Sequence, residues 1–179
     1  MFNIGDNVVY PMHGAGVIEA IEDKEILGAR KKYYIMNMPL GGIKVMIPLD
    51  NVERVGLRDV ILKSAVGEVF DILESTEEEP VNGNWNRRYR ANMDKIKSGS
   101  IYKVAEVARS LLLRDEEKGL SSGERRMLES TRQILVSELL MVKGIDREKM
   151  AGYLEDLFSH RVNEEEHTQV QVESNPTKA

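Results

Sequence analysis

The sequence has 179 residues and a formal net charge of −5, with 41% hydrophobic and 31% charged residues. This composition is that of a soluble globular protein with one large or two small domains, and no apolar run approaches the roughly 20 residues that span a bilayer. Cysteine is absent, which excludes disulfides and thiolate metal sites and fits a reducing cytoplasm. The first residues lack the basic region and long apolar stretch of a secretory signal.

Short segments rich in Val, Ile and Tyr predict that the chain begins with β-structure. They are NVVYP, AGVIEAIED, KKYYIMNM and GIKVMIPL, and turn glycines separate them at Gly14, Gly28, Gly41 and Gly42. Side chains alternate between the two faces of a strand. In the last segment one face would carry Ile43, Val45 and Ile47, and the other Lys44 and Met46. Four or five such strands within about 50 residues predict a small SH3-like or Tudor-like barrel.

From Arg58 onward every strong segment has helical spacing. Apolar residues recur in this way between residues 60 and 73. The acidic stretch ESTEEEPVNGN at residues 74–84, rich in Pro, Gly and Asn, then predicts a linker. A second helix is predicted over residues 86–97, because a Ser-Gly pair follows it.

Three further helices are predicted after residue 100. Ser100 is expected to cap the first of them. Its apolar stripe would consist of Val104, Val107, Ala108, Leu111 and Leu112. Ser121 and Glu124 have the spacing of a capping box before a long helix, which Gly144 would end. Asp146 would begin the last helix.

These patterns divide the chain into four parts. Residues 1–58 would form the β-domain, and residues 59–84 a connecting helix and the acidic linker. Residues 85–161 would form a helical domain, and residues 162–179 an acidic tail without apolar periodicity that is expected to be disordered. The predicted fold class is α+β, a small Tudor-like β-barrel followed by a compact all-α domain.

Positive charge is concentrated in residues 85–114, where eight basic minus two acidic residues give +6. A compact basic face suits a nucleic-acid backbone, because each Lys or Arg at a phosphate releases condensed counterions. A solvated helix face is the more frequent explanation of a charge run taken alone.

Trp85, the only tryptophan, lies at the start of this basic segment, directly before Asn86 and the run Arg87-Arg88-Tyr89-Arg90. A flat apolar ring among arginines suits insertion at a base step. It equally suits packing onto the core as a staple at a helix start. The residues alone leave both interpretations open.

Catalysis and metal binding have little support in the sequence. His13, His160 and His167 lie far apart or near the tail, and the common phosphate-binding, dinucleotide-binding and hydrolase motifs are missing. The run Glu77-Glu78-Glu79 suits a solvated linker better than a cation site. The sequence therefore predicts no enzyme, no cofactor and no metal.

Two long stretches resemble one protein family. The opening FNIGDNVVYPMHGAGVIEAIE is similar to the N-terminal signature of the CarD/CdnL family of bacterial RNA-polymerase-binding regulators. The stretch NWNRRYRANMDKIKSGSIYKVAEVARSLLLRDEEKGLSSGERRMLESTRQILVSEL resembles the C-terminal domain of that family. The resemblance covers roughly residues 1–160, in order. The N-terminal half also resembles the polymerase-interacting module of transcription-repair coupling factors.

The resemblance implies that the Tudor-like domain binds the β subunit of RNA polymerase by pairing at a strand edge. The helical domain would contact promoter DNA at the upstream edge of the −10 element. Trp85 matches the family tryptophan that wedges into the minor groove at the edge of the opened duplex and stabilises the open complex. The predicted DNA-binding residues are Trp85, Arg87, Arg88, Arg90, Lys95 and Lys97.

Lys24 and Met46 fall where family members place polymerase-contacting residues, and some relatives have arginine at both positions. The polymerase contact of this chain is therefore expected to be more apolar. The expected protein is a cytoplasmic, polymerase-tethered regulator with weak or non-sequence-specific DNA binding and no membrane or small-molecule partner. The alternative is a protein-interaction adaptor whose basic face meets an acidic protein. A monomer is expected, and a strand-swapped dimer is compatible with such a domain.

Overall fold

The computed structural model describes residues 1–77 and 83–159. Its N-terminal part is a five-stranded antiparallel sheet with the strand order β4-β3-β2-β1-β5. The strands are β1 (Asn7–Tyr10), β2 (Gly14–Ile26), β3 (Ala29–Met38), β4 (Ile43–Pro48) and β5 (Arg58–Asp59). Helices follow the sheet, so the predicted α+β fold class, with a Tudor-like domain before a helical domain, is confirmed.

The long β2–β3 hairpin is closed by a two-residue turn. Ile26 pairs with Ala29, which leaves Leu27 and Gly28 as the turn residues. Their φ angles are 53° and 79°, and both are positive as a type I′ hairpin turn requires. Glycine adopts this conformation freely, whereas Leu27 adopts it at a steric cost with its side chain fully exposed.

The alternation predicted for the last long strand is present in β4. Ile47 is buried and Val45 half-buried against the sheet core. Lys44 and Met46 are exposed, as expected for the opposite face. Ile43 deviates from the pattern, because it begins the strand and is 58% exposed.

The prediction that every segment from Arg58 onward is helical was wrong at its start. Arg58 and Asp59 form β5, which pairs with Val9 and Val8 of β1. This backbone pairing outweighs the helical spacing of the nearby apolar residues, so the first long helix begins only at Val66.

The helices are α1 (Val52–Val55), α2 (Val66–Glu74), α3 (Trp85–Lys97), α4 (Ile101–Lys118), α5 (Ser122–Leu140) and α6 (Arg147–Ser159). All five residues of the predicted α4 stripe are buried in the helical core. The capping box of Ser121 and Glu124 is confirmed, with both reciprocal hydrogen bonds present. Ser100 occupies the N-cap position of α4 but makes no capping bond with its side chain. Asp146 accepts hydrogen bonds from the backbone N–H groups of Glu148 and Lys149 in the first turn of α6.

The end of α5 differs from the prediction. The helix ends at Leu140 rather than near Gly144, which lies in the following turn with a φ of 79°. Met141 follows the helix directly and is buried with Val9 and Ala15. The chain therefore leaves the helix where Met141 enters the contact between α5 and the sheet.

Parts of the predicted linker and the whole of the predicted tail lie outside the described residues. Glu74 ends α2, and residues 75–77, 83 and 84 have no helix or strand. Residues 78–82 and 160–179 are not among the described positions, so the last two residues of the predicted helical domain also lie outside them. Within the described ranges, no helix combines the length and apolarity needed to cross a membrane.

Candidate nucleic-acid and protein interfaces

Trp85 is the first residue of α3, and its position is fixed by a helix cap. The side chain of Asn84 accepts a hydrogen bond from the backbone N–H of Arg87 at 3.0 Å. Asparagine is a preferred N-cap residue because its side chain satisfies a backbone donor that the helix leaves free. The cap places the indole at the surface, where it is 43% exposed.

One side of the indole is held by its neighbours. Tyr89, one helical turn later, stacks on it with ring centroids 5.1 Å apart and an interplanar angle of 24°. The indole N–H donates a hydrogen bond of 3.3 Å to the Ser121 hydroxyl oxygen at the start of α5. A Cβ atom at Gly123 would lie 3.3 Å from the ring. Trp85 is therefore a surface ring held in a fixed orientation, neither a core residue nor a free side chain.

Glu124 holds Ser121, the hydrogen-bond partner of the indole, in place. Its carboxylate accepts hydrogen bonds from the Ser121 backbone N–H at 3.0 Å and from the Ser121 hydroxyl at 2.9 Å. Arg114 and Arg88 lie 3.2 and 3.9 Å from the same carboxylate. Burial opposes ionisation of Glu124, but the Ser121 hydrogen bonds and the two arginines outweigh it and lower its pKa below the ordinary 4.5.

The predicted DNA-binding residues of α3 lie on two different sides of the helix. Arg87, Arg90 and Lys97 are exposed and share one stripe, because they are three and seven positions apart. Arg88 and Lys95, seven positions apart, lie on the other side of the helix, and each is close to a carboxylate. Arg88 is directed towards Glu124 and also donates a hydrogen bond to the Gly83 carbonyl. Lys95 lies 2.8 Å from Glu106 of α4.

The positive segment as a whole does not form one compact face. Arg109 is buried, and Arg114 is engaged with Glu124. The basic side chains of residues 85–114 that are exposed are Arg87, Arg90, Lys97 and Lys103. The local charge available to a phosphate backbone is therefore smaller than the sequence count of +6 suggested.

Sequence reasoning missed a basic residue close to the ring. Arg126 of α5 lines a surface pocket of about 340 Å³ together with Trp85, Tyr89 and Met12. Its proximity to Trp85 arises from tertiary packing. The one sequence signal for a phosphate contact at this point was the Arg-Arg pair directly after the capping box. The N-terminal end of a helix also favours phosphate, because the helix dipole is positive there.

The two residues predicted to contact polymerase lie on one face of the sheet. Lys24 is opposite Lys31 of β3, and Met46 is opposite Ile35 of the same strand. Lys31 and Ile35 are four positions apart, so they point to the same side of the sheet, and their partners Lys24 and Met46 do so as well. Met46 is 48% exposed. Lys24 forms an exposed ion pair of 2.8 Å with Glu22. Met46 belongs to β4, the strand at one end of the sheet order, which pairs only with β3 within the described part of the chain.

Within residues 1–77 and 83–159, no group of three or more His, Asp or Glu side chains is arranged to hold a metal ion.

Comparisons with known proteins agree with this two-part architecture. Residues 2–61 match the family model described as the CarD-like/TRCF RID domain, and residues 68–155 match the model of the CarD C-terminal domain. The chain is 40% identical over 153 residues to "Putative transcription factor YdeB" of Bacillus subtilis (strain 168), covering 86% of this chain and 99% of that protein. It is also 34% identical to the solved N-terminal domain of Myxococcus xanthus CarD, over 33% of this chain and 79% of that one, with a TM-score of 0.30.

A CarD-like/TRCF RID domain followed by a CarD C-terminal domain, together with the likeness to a putative transcription factor, defines a class of transcription regulators. The chain belongs to the CarD family within that class.

Proposed function

We propose that the protein regulates transcription initiation by binding the β subunit of RNA polymerase with its sheet and promoter DNA with its helical domain. Trp85 would contact the upstream edge of the −10 element and stabilise the open complex. The observation that carries the proposal is the orientation of Trp85, a 43% exposed ring held at the tip of a basic helix.

The surroundings of Trp85 support a DNA contact. Arg87 is exposed two residues after the ring, and Arg126 borders the same pocket from α5. An apolar ring flanked by arginines suits the minor groove, where the ring separates a base step and the arginines meet the phosphates. Only four basic side chains of residues 85–114 are exposed, so we expect weak binding to free duplex DNA. A tether to polymerase compensates by raising the local concentration.

The sheet supports a polymerase contact by strand addition. β4 is an edge strand, and an edge strand has unpaired backbone donors and acceptors that a partner strand can bind. Met46 and Ile43 add exposed apolar side chains along that edge. The match of residues 2–61 to the CarD-like/TRCF RID domain also favours this partner.

The adaptor alternative has one observation in its favour. The Trp85 indole N–H is already bonded to Ser121, and one side of the ring packs on the protein. In that case the basic helix would bind an acidic protein surface and DNA would not touch the ring.

A photocrosslinking experiment separates the two functions. A photoreactive phenylalanine derivative replaces Trp85 in the full chain, and the variant is mixed with promoter DNA with and without RNA polymerase holoenzyme. We expect crosslinks to DNA at the upstream edge of the −10 element, and only when polymerase is present. The same substitution at Glu117, which is exposed on α4, serves as the control. Crosslinks to protein alone would support the adaptor and contradict the DNA contact.

A further inference from the structure

A buried acid of α5 is bound to the sheet domain. Glu138 is fully buried, and its two carboxylate oxygens accept hydrogen bonds from Arg58 Nη1 at 2.7 Å and Nη2 at 2.8 Å. The backbone N–H of Ile61 donates a third bond at 3.1 Å. Such a bidentate pair fixes the relative orientation of its two partners. The Arg58 side chain is 30% exposed, whereas the Glu138 side chain is fully buried. Because burial of the Glu138 charge offsets its attraction to Arg58, the pair specifies geometry more than it adds stability.

Arg58 also holds the helix that carries Trp85. Its Nε atom donates a hydrogen bond of 2.8 Å to the carbonyl oxygen of Gly99, two residues beyond the end of α3. A Cβ atom at Gly99 would lie 2.9 Å from the Pro11 side chain, so the β1–β2 turn packs closely on this point. One residue of β5 therefore connects the sheet both to α5 and to the C-terminal end of α3.

The neighbour of Glu138 makes a second connection. The Ser137 hydroxyl oxygen accepts a buried hydrogen bond of 2.9 Å from the backbone N–H of Ala15 in β2. A Cβ atom at Gly14 would lie 2.5 Å from that oxygen, so the strand approaches α5 as closely as glycine permits. Attachment to β5 and to β2 at two adjacent residues restricts rotation of α5 against the sheet.

We propose that Arg58, Glu138 and Ser137 are positioning residues that set the angle between the polymerase-binding sheet and α3, and thereby place Trp85 at the DNA. This inference rests on the proposed function. The 13 residues of α3 span about 20 Å, so a tilt of about 10° at its Gly99 end would move the ring by about 3 Å. Binding sites require their groups within about 0.5 Å of the productive position, so a shift of this size would remove the contact.

The test measures interdomain geometry and function in the same full-length variants. The chain has no cysteine, so spin labels can be attached at Glu25→Cys and Glu117→Cys, two exposed positions on β2 and α4. The variants Glu138→Gln and Ser137→Ala each remove one connection. Glu129→Gln is the matched control, because it changes an exposed acid of the same helix that pairs within α5.

We expect both variants to broaden the distance distribution between the labels and to retain binding to RNA polymerase. We expect them to shorten the lifetime of the promoter open complex at least about threefold. The control should leave all three measurements unchanged. If Glu138→Gln does not fold, Ser137→Ala decides the test.

The outcomes distinguish the two proposals. An unchanged distance distribution, or a broader one with the wild-type lifetime, would overturn the positioning role. If Trp85→Ala shortens the lifetime and the two variants do not, the proposed function stands and the inference falls. If Trp85→Ala itself has the wild-type lifetime, the proposed function fails and the inference fails with it.

Discussion

Trp85 obtains its orientation from residues distant in sequence. The Ser121 hydroxyl accepts from the indole and donates to Glu124, so one side chain links the ring to a buried carboxylate. Tyr89 adds a stacked face on the same helix. The sequence predicted the capping box and the tryptophan separately. The contact between them depends on how α3 packs against α5, and the spacing of neighbouring residues in the sequence does not reveal that packing.

We expect Ser121→Ala to loosen the ring and to cost about 1 kcal/mol of stability through the lost helix cap. Emission from the chain reports Trp85 alone, because it is the only tryptophan. The emission maximum should shift to the red, and iodide should quench it more strongly. Ser100→Ala is the matched control, because Ser100 occupies the N-cap position of α4 but its side chain makes no capping hydrogen bond. Equal quenching in wild type and Ser121→Ala would contradict the role assigned to the Ser121 hydroxyl.

The basic residues of α3 have two different roles, exposure to solvent for some and an ion pair with a buried carboxylate for another. Arg87 and Arg90 lie on the exposed stripe, whereas Arg88 is directed towards buried Glu124. The sequence predicted the bounds of α3 to within one residue, and the Ser-Gly pair correctly marked its end. The division of the arginines could not be predicted, because the partners of Arg88 belong to α5 and to the turn before α3.

The variants Arg88→Ala and Arg90→Ala should therefore behave differently. We expect Arg88→Ala to lower the free energy of unfolding by about 1 kcal/mol, because it removes the ion pair with buried Glu124 and the hydrogen bond to the Gly83 carbonyl. Arg90→Ala should change stability by less than about 0.5 kcal/mol. In complexes with polymerase and promoter, it should reduce the slope of log affinity against log salt by about one. Thermal unfolding and binding across a salt series measure the two effects, and a reversed pattern would refute the assignment.

At the scale of the whole molecule, the proposed polymerase and DNA surfaces lie on different domains that pack directly on each other. Sequence patterns predicted the two domain types, because strand alternation and helical spacing are local. They did not predict β5, since two residues are too few to carry a pattern. They also missed the contact between α5 and the sheet, where Met141 packs on Val9 and Ala15.

The polymerase contact can be tested on the intact chain. Met46→Glu places a charge on the exposed edge strand, and we expect it to weaken polymerase binding by about 1 kcal/mol or more. Leu62→Glu is the control, because Leu62 is 75% exposed and lies outside the sheet. A competition pull-down with RNA polymerase core would measure both variants. Equal weakening by the two would show that added charge, rather than the edge of β4, causes the loss.

The lifetime of the promoter open complex with Trp85→Ala tests the central claim most directly. Polymerase is saturated with wild-type protein, Trp85→Ala or the conservative variant Trp85→Phe, and decay is followed after a competitor is added. We predict that Trp85→Ala binds polymerase normally but raises the rate of decay about fivefold, which corresponds to about 1 kcal/mol, and that Trp85→Phe lies between it and wild type. A Trp85→Ala complex that is fully bound to polymerase and decays at the wild-type rate would contradict the account.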